Sequence, residues 1–255
     1  DNLWIGTYSG NLNVLNLKNK RIKQYISYSN NPNTIDGSSC YSIFKDRENK
    51  LWMGTMSGIN IYNHSTDDFT RIKAVNAMII DIDQDKEGNM WFCTQGKGIY
   101  RYSLSDQIWK NYNYVNTQGQ LANDQCNSIL VDSNGNLWLG TVNGLHRYNA
   151  ENDNFERINL DIPNQNICCI IEDQGILWLT TGKGLVRYTP NSNTYQVFTK
   201  SDGLQSDQFL PNSGLMTKDG KIYIGSANGF NAFYPHLIKI NQSIPPVVIT
   251  NVELF

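Results

Sequence analysis

Few side chains in this sequence could act together as acids, bases or nucleophiles. The three histidines, His64, His146 and His236, have no serine, cysteine or carboxylate partner at the spacing that a known catalytic motif requires. The Gly-x-Ser-x-Gly, His-Glu-x-x-His and phosphate-loop motifs are absent from the sequence. The sequence therefore predicts no catalytic residues and no enzymatic activity for this region.

Four aspartates recur at one position of a repeated pattern, beside a predicted turn. They are Asp46, Asp85, Asp132 and Asp173. Together they could form a ring of acids, but a carboxylate next to a turn can also accept hydrogen bonds from the backbone N–H groups of that turn. Because the position recurs in four repeats, we interpret these aspartates as turn caps rather than as a functional site.

The five cysteines form no Cys-x-x-Cys pair and have no metal-ligand spacing to histidine. They are Cys40, Cys93, Cys126, Cys168 and Cys169. Cys40 and Cys126 occupy a repeat position that holds Ile79 and Ile167 in other repeats. Free cysteine usually behaves as a small buried hydrophobe, so we predict buried thiols, no metal site and no cofactor. An oxidising compartment would permit disulfides without requiring them.

Polar side chains suited to binding lie in segments that differ between the repeats. These segments are rich in Asn, Gln, Asp, Ser and Thr, and the aromatic residues Tyr28, Tyr114 and Phe209 lie close by. Amide and carboxylate groups beside flat apolar rings suit a neutral polyhydroxylated ligand; the alternative is that these are ordinary solvated loops. The candidate ligand-binding residues are Tyr8, Asn31, Gln95, Lys97, Asn123, Asp124, Gln125, Asn143, Gln165, Lys183, Gln205, Asp207 and Gln208.

The elements that must position these residues come from a sequence repeat. The pentapeptide Leu-Trp-Leu-Gly-Thr at residues 137–141 occurs in six versions, and successive aromatic positions lie 39 to 48 residues apart. These positions are Trp4, Trp52, Trp91, Trp138, Trp178 and Tyr223. A period of about 40–50 residues is typical of a propeller or a solenoid.

Each repeat holds four runs of four to six residues that are rich in Ile, Val, Leu, Tyr and Trp and are bounded by Gly, Asn or Asp. Such runs predict strands joined by hairpins, and no segment of helical length has a helical apolar period. We therefore predict an all-β fold: a β-propeller of four-stranded antiparallel blades with six repeats visible. Helix should account for under 5% of residues.

The two faces of such a disc carry different connections. Hairpins between the first and second and between the third and fourth strands lie on one face, where the sequence shows short, uniform turns. Turns between the second and third strands, and the crossings from one blade to the next, lie on the other face and vary in length and content. Function concentrates in variable loops on a rigid scaffold, so the candidates should share this second face.

The ends of the chain depart from the repeat. The first residues correspond to the second strand of a blade, so we expect the first blade to lack its inner strand, and the last repeat shows three runs. We predict a propeller over residues 1–244. Residues 245–255 would be either a closing strand or the start of a following β domain, with Pro245-Pro246 as the boundary.

Charge and hydropathy exclude two kinds of partner. The net charge is −2, and Lys and Arg are scattered singly, so the basic footprint of a nucleic-acid-binding protein is missing. No apolar stretch approaches the roughly 20 residues that a membrane span needs. We expect no nucleic acid and no membrane contact within this segment.

The repeat at residues 129–148, of the form Ile-x-x-Asp-x-x-Gly-Asn-Leu-Trp-x-Gly-Thr-x-x-Gly-Leu-x-x-Tyr, resembles the two-component regulator propeller repeat. The segment Pro-Pro-Val-Val-Ile-Thr-Asn-Val-Glu-Leu-Phe at residues 245–255 resembles the start of the immunoglobulin-like β domain that follows such propellers. The resemblance implies the periplasmic part of an inner-membrane hybrid histidine kinase, a ring normally of seven blades, recognition of oligosaccharides and signalling as a homodimer. It supplies no binding residue.

We therefore expect an extracytoplasmic propeller that senses a carbohydrate without catalysis of its own. Two alternatives belong to other classes. A propeller lyase or hydrolase acting on polysaccharides would need His, Tyr, Arg or acidic residues converging on the channel. A protein-binding scaffold would need an exposed apolar edge.

Overall fold

The computed structural model describes residues 2–10 and 12–238, and their regular structure is almost entirely β. The only helical elements among these residues are two 3₁₀ turns, Lys200–Asp202 and Pro235–Leu237. The predicted all-β propeller, with almost no helix, is confirmed. The predicted boundary at Pro245 and the segment at residues 245–255 lie outside the described residues.

The strands follow the four runs of each sequence repeat. In chain order they are β1 (Asn2–Gly6), β2 (Leu12–Asn16), β3 (Ile22–Tyr25), β4 (Cys40–Lys45), β5 (Leu51–Thr55), β6 (Ile59–Asn63), β7 (Asp68–Ile72), β8 (Ile79–Gln84), β9 (Met90–Thr94), β10 (Ile99–Tyr102), β11 (Trp109–Tyr112), β12 (Cys126–Val131), β13 (Leu137–Thr141), β14 (Gly144–Asn149), β15 (Asn154–Ile158), β16 (Ile167–Asp173), β17 (Ile176–Thr181), β18 (Gly184–Thr189), β19 (Thr194–Phe198), β20 (Phe209–Met216), β21 (Ile222–Ser226) and β22 (Gly229–Phe233).

These strands form six antiparallel sheets, here called blades 1 to 6. Blades 2 to 5 have four strands each, β4–β7, β8–β11, β12–β15 and β16–β19. Among the described residues, blade 1 consists of β1–β3 and blade 6 of β20–β22. The first strands of blades 2 to 6 contact one another in turn and therefore line the axis.

The repeat tryptophans hold neighbouring blades together. Trp52, Trp91, Trp138 and Trp178 are at most 1% exposed. Each contacts a ring of the following blade; Trp91, for example, lies 4.9 Å from the ring of Tyr148 in an edge-on geometry. Burying an aromatic side chain of this size removes about 150–250 Å² from water, so one apolar residue per repeat stabilises each interface.

The recurring aspartates do cap the turn between the first two strands. Asp132 Oδ1 accepts from the backbone N–H groups of Asn134 (3.0 Å) and Asn136 (2.8 Å), and its Oδ2 accepts from the indole N–H of Trp138 (2.8 Å). Asp46 and Asp85 make the same bond to the tryptophan six residues later. The predicted caps are confirmed at these three positions.

Asp173 was wrongly predicted to be a cap of the same kind. Its hairpin is one residue shorter, so Asp173 pairs with Ile176 at the end of the strands, and Gln174 and Gly175 form the turn with φ values of 51° and 80°. The carboxylate then stands five rather than six residues before Trp178. The indole N–H of Trp178 is buried and has no hydrogen-bond partner among residues 2–10 and 12–238.

The blades alternate in construction, so that a pair of blades is the true repeating unit. Equivalent aromatic positions two blades apart are separated by 85 to 87 residues. The crossings into the even-numbered blades are long (residues 26–39, 113–125 and 199–208), whereas those into blades 3 and 5 are short (residues 73–78 and 159–166).

Each long crossing is fastened by a polar side chain on the third strand of the blade that it enters. Asn60 accepts from the N–H of Asp36 (2.7 Å), and Asn231 accepts from the N–H of Gln205 (2.8 Å). His146 does the same through Nε2 to Ala122 (3.1 Å). Blades 3 and 5 carry Tyr100 and Val186 at this position. The side chain on the third strand thus marks which blades receive a long loop.

Candidate ligand-binding face

The face that carries the second-to-third turns and the crossings, here called the crossing face, has a rigid base. In blades 2 to 6 the second strand ends in a Thr or Ser whose hydroxyl donates to the carbonyl of the glycine that opens the third strand, at 3.0 Å in blade 2 and 2.8 Å in blade 5. Gly58 has a φ of +146°, and a Cβ there would lie 2.6 Å from the carbonyl oxygen of Val75. The repeated Thr and Gly residues therefore serve the scaffold.

Two columns of residues border the end of the channel on this face, and together they are called the channel mouth. One column follows the terminal Thr or Ser of the second strand, and the other precedes the first strand. The two columns are hydrogen-bonded within a blade, as in Gln95 N–H to Met78 O and Val142 N–H to Gln125 O, both 3.1 Å. The columns consist of Tyr8, Met56, Gln95, Val142, Gly182 and Ala227, and of Ser39, Met78, Gln125, Asn166 and Gln208.

Below the mouth the channel is bridged. The side-chain amide of Asn212, on β20, donates to the carbonyl of Ile80 on β8 at 3.1 Å, which links blade 6 to blade 3 across the axis. A ligand on the crossing face would therefore meet the mouth rather than a through-channel.

Several predicted candidates use their side chains to hold the loops. Asp124 Oδ1 accepts from the N–H of Tyr114, and Asp207 Oδ1 makes the equivalent bond to Lys200, both at 2.6 Å. The amide of Gln165 donates to Leu160 O at 2.7 Å. The other candidates with such contacts are Asn31, Lys97, Asn123, Asn143 and Gln205. These side chains shape the face, and Asn31, tied to Arg71 of the outer strand β7, lies away from the mouth.

The remaining candidates are exposed and have no polar side-chain partner within the described ranges. They are Tyr8, Gln95, Gln125, Lys183 and Gln208. The structure brings Gln95 and Gln125 together, because an isolated antiparallel bridge joins them across blades 3 and 4. Tyr8 is 78% exposed and its ring contacts Tyr41 edge-on at 6.5 Å. All but Lys183 belong to the channel mouth, whereas Lys183 stands at the tip of its turn.

Sequence reasoning missed the apolar members of the mouth, Met56, Met78 and Val142. They occupy the same two columns as Gln95 and Gln125, so aligning the repeats at these columns would have found them. They were overlooked because only polar and aromatic residues were considered as ligand contacts. One cavity on this face contains a predicted candidate: about 330 Å³, it lies between blades 4 and 5 and is lined by Arg157, Ile158, Asn159, Leu160, Asp161 and Gln165.

The buried titratable groups serve the scaffold. His146 is fully buried, burial lowers its pKa to about 4, and its Nε2 fastens a loop. All five cysteines are buried and free, and the predicted burial of the column that holds Cys40 and Cys126 is confirmed. Among residues 2–10 and 12–238 there is no group of three His, Cys, Asp or Glu side chains that could hold a metal ion.

Two acids of the channel wall join blades 3 and 4. Asp81 and Asp83 of β8 accept from the N–H groups of Ile129 (2.9 Å) and Val131 (2.7 Å) of β12. Burial raises the pKa of both carboxyls, and that of Asp81 to about 7. These acids therefore satisfy inward-facing backbone donors of the next blade.

The repeat and the blade geometry define a β-propeller of antiparallel blades, and comparisons with known proteins show what this propeller resembles. The family model described as two component regulator propeller matches residues 120–143. The sequence is 24% identical over 268 residues to histidine kinase P4 of Formosa agariphila, covering 99% of this chain and 16% of that protein. The extracellular domain of the hybrid two component system BT3049 from B. thetaiotaomicron has a TM-score of 0.81 and 27% identity, with coverage of 98% of this chain and 34% of that chain.

The resemblance predicted from the sequence is confirmed: the chain contains the two-component regulator propeller repeat and is similar to extracellular domains of hybrid two-component systems. The expected periplasmic location agrees with this similarity. A virginiamycin B lyase from Staphylococcus aureus is also similar (TM-score 0.67, 17% identity, 88% of this chain and 73% of that chain), which shows the fold alone. No helix of the described residues is long and apolar enough to span a membrane. The chain spans about a third of the BT3049 domain and a sixth of the kinase.

Proposed function

We propose that this propeller is the ligand-sensing part of a hybrid two-component sensor histidine kinase, and that the channel mouth on its crossing face recognises an oligosaccharide. One observation carries the proposal. Gln95, Gln125 and Gln208 expose side-chain amides that have no hydrogen-bond partner among residues 2–10 and 12–238, and they share the two columns of the channel mouth with Tyr8 and Met56.

The chemistry of the mouth fits a neutral polyhydroxylated ligand. Each glutamine amide offers two donors and an acceptor, which match the hydroxyl groups of a sugar. The Tyr8 ring and the apolar side chains offer flat or adaptable surface for the C–H faces. Because the backbone at the strand ends is already ordered, recognition costs only the ordering of the glutamine side chains, about 0.5–1.5 kcal/mol each.

An enzymatic role is the main alternative, since propeller lyases exist. General acid–base catalysis needs a titratable group within hydrogen-bond reach of the substrate. Asp81, whose pKa burial raises to about 7, and His146, whose pKa burial lowers to about 4, are both buried and bonded to backbone N–H groups. This geometry favours binding over turnover.

Signal transfer is proposed to follow from rearrangement of a homodimer of the whole receptor. The similar extracellular domain is about three times as long as this chain. Residues outside this propeller would then supply the dimer contacts, and the propeller would supply the ligand-dependent bias between the two arrangements.

Isothermal titration calorimetry with a panel of neutral oligosaccharides tests the proposal. Replacing Gln95, Gln125 or Gln208 by Ala should weaken binding by about 0.5–1.5 kcal/mol each, because each change removes neutral hydrogen bonds. Glu151→Ala, on the opposite face, is the matched control and should leave affinity unchanged. Chromatography of the sugar after incubation should show no product. Equal affinity of all variants, or turnover by the purified protein, would contradict the proposal.

A further inference from the structure

One position of the repeated pentapeptide faces the first strand of the next blade. It is the fourth residue, which is glycine in four of the six copies, at Gly6, Gly54, Gly140 and Gly225. A Cβ on Gly54 would lie 2.8 Å from the Cβ of Ile79, the first residue of β8. A Cβ on Gly140 would lie 3.1 Å from that of Ile167, the first residue of β16. This position therefore brings two residues of neighbouring blades almost into contact.

Blade 3 departs from the pattern, because Cys93 replaces the glycine. The residue at the facing position of blade 4 is Cys126, the first residue of β12. β9 and β12 contact each other, both cysteines are fully buried in one core cluster, and their thiols lie within hydrogen-bonding reach of each other. No other copy in the sequence has cysteine at both positions; Cys40, the counterpart of Cys126, faces Gly6 instead. The chain thus places two thiols together at a single interface.

The spacing at this interface fits a disulfide bond. The Cβ atoms of disulfide-bonded cysteines lie about 3.5–4.5 Å apart. The lower end of this range exceeds the 2.8 and 3.1 Å separations at Gly54 and Gly140 by under about 1 Å. Hydrogen bonds already hold the two backbones together here, since the N–H of Gly98 donates to the carbonyl of Asp124 at 2.9 Å. Joining the two sulfurs therefore requires little movement of the backbone.

We propose that Cys93 and Cys126 are oxidised to a disulfide that joins blades 3 and 4 covalently. The periplasmic location supports this, because disulfides form and persist in oxidising compartments. The oxidant is a reactive disulfide of a small molecule or of another protein. One cysteine thiolate attacks it, which forms a mixed disulfide and releases one oxidant thiolate, and the second cysteine thiolate then displaces the other. The cysteines lose two protons and two electrons, and the oxidant becomes two thiols.

Burial determines when this exchange takes place. It raises the pKa of the Cys93 thiol well above its usual value, and the hydrogen bond with Cys126 acts in the same direction. Because the thiolate is the attacking species, exchange is slow in the closed interface and occurs before blades 3 and 4 close. The loop that the bond encloses contains Gln95 and ends beside Gln125, so the bond also holds the two sides of their bridge at the channel mouth.

Peptide mapping of the full chain, refolded with a mixture of oxidised and reduced glutathione, tests the proposal. Free thiols are alkylated with N-ethylmaleimide in denaturant before digestion with trypsin. Cleavage after Lys and Arg places Cys93 in residues 87–97 and Cys126 in residues 111–147, apart from the other three cysteines. These two peptides should appear as one disulfide-linked species, and Cys40, Cys168 and Cys169 should be alkylated. Alkylation of all five cysteines, or a disulfide between any other pair, would overturn the proposal.

Thermal unfolding measures what the bond contributes to the fold. Refolding with tris(carboxyethyl)phosphine instead of glutathione should lower the Tm of the unchanged protein by about 5–15 °C. Cys93→Gly introduces the residue that four other copies have, so it should fold and should show the same Tm under both conditions. Cys40→Ala, at the repeat position of Cys126, is the matched control and should keep the full shift. An equal shift in Cys93→Gly, or none in Cys40→Ala, would overturn the proposal, because the effect would then come from other thiols.

Discussion

Blades 3 and 4 and blades 5 and 6 follow one plan but are joined by different chemistry. At the rim between blades 3 and 4, Asp153 accepts from the hydroxyls of Tyr112 and Tyr148, both at 2.5 Å, and pairs with Lys110. Between blades 5 and 6 the counterparts of the two tyrosines are Phe198 and Phe233. The same arrangement of one tryptophan and two further rings therefore occurs with either polar or apolar residues at the rim of the interface.

The inner strands of the two pairs differ in the same way. Asp81 of β8 bonds the N–H of Ile129 on β12, whereas Cys169, its counterpart on β16, faces Gly214 of β20. A Cβ at Gly214 would lie 2.7 Å from the Cys169 sulfur, so the glycine allows a close apolar contact. Blades 3 and 4 thus gain titratable links that blades 5 and 6 do not have.

The largest expected effect comes from the interface tryptophans. Trp91→Ala should lower the free energy of unfolding by about 3–5 kcal/mol, the usual cost of removing a buried aromatic side chain. Trp178→Ala should cost about 1–2 kcal/mol less, since it also removes an indole N–H that is buried without a partner. Urea unfolding followed by circular dichroism measures both, with Glu48→Ala as an exposed control. Equal losses of stability in the two variants would contradict the predicted difference between the two interfaces.

The next largest difference in stability between the two pairs of blades should come from replacing their turn aspartates. Asp132→Ala leaves the Trp138 indole and the turn N–H groups without their acceptor, which should cost about 2–3 kcal/mol. Asp173→Ala should cost under about 0.5 kcal/mol, because the indole N–H of Trp178 does not donate to its carboxylate. Thermal unfolding of the two variants gives the comparison, and a large loss for Asp173→Ala would contradict it.

The buried acids of the channel wall should make the stability of blades 3 and 4 depend on pH. Burial raises the pKa of Asp81 to about 7, so the folded state favours the protonated acid. Below about pH 4 Asp81 is protonated in both the folded and the unfolded state. As the pH rises from about 4 towards 7, the unfolded state ionises Asp81 more easily than the folded state, so the free energy of unfolding should fall. Hydrogen exchange at Ile129 should therefore become faster over this range than the intrinsic rate predicts, and Asp81→Asn should abolish the trend. A similar trend at Gly214 would show that the effect is global.

The smallest effect concerns the rim. Burial acts to raise the pKa of Asp153, but hydrogen bonds from Lys110, Tyr112 and Tyr148 outweigh it and lower the pKa to about 2. The carboxylate therefore contributes stability above about pH 4 that is lost as the pH falls towards 2. Because the side chain is 40% exposed, Asp153→Asn should cost only about 1 kcal/mol at pH 7. Its acid unfolding curve should be shallower than that of the unchanged protein.

The sequence predicted those features that recur in every repeat. The Trp period defined the blades, and the Cys40 and Cys126 column correctly indicated buried positions. The Asp column predicted three turn caps but failed at Asp173, where one deleted residue changes which backbone groups the carboxylate can reach. The sequence shows polar side chains at one position of the third strand in alternate blades, namely Asn60, His146 and Asn231. Only the structure shows that these side chains accept hydrogen bonds from the long crossings.

The candidate site was predicted less completely. Polar loop residues such as Asp124 and Asp207 were predicted to contact a ligand. In the structure their carboxylates accept hydrogen bonds from backbone N–H groups of their own loops. Whether an amide in a crossing faces a ligand or the loop depends on how far that crossing must reach, and composition does not encode this distance. The apolar mouth residue Met56 was missed because it is not polar.

Chemical-shift mapping with a bound oligosaccharide tests the central claim most directly. The backbone and side-chain amides of Gln95, Gln125 and Gln208 should shift with saturating behaviour, together with the Tyr8 ring. Residues 18–20 and 151–153, on the short-turn face, should stay unchanged. Shifts confined to that opposite face, with the channel mouth silent, would contradict a ligand site on the crossing face.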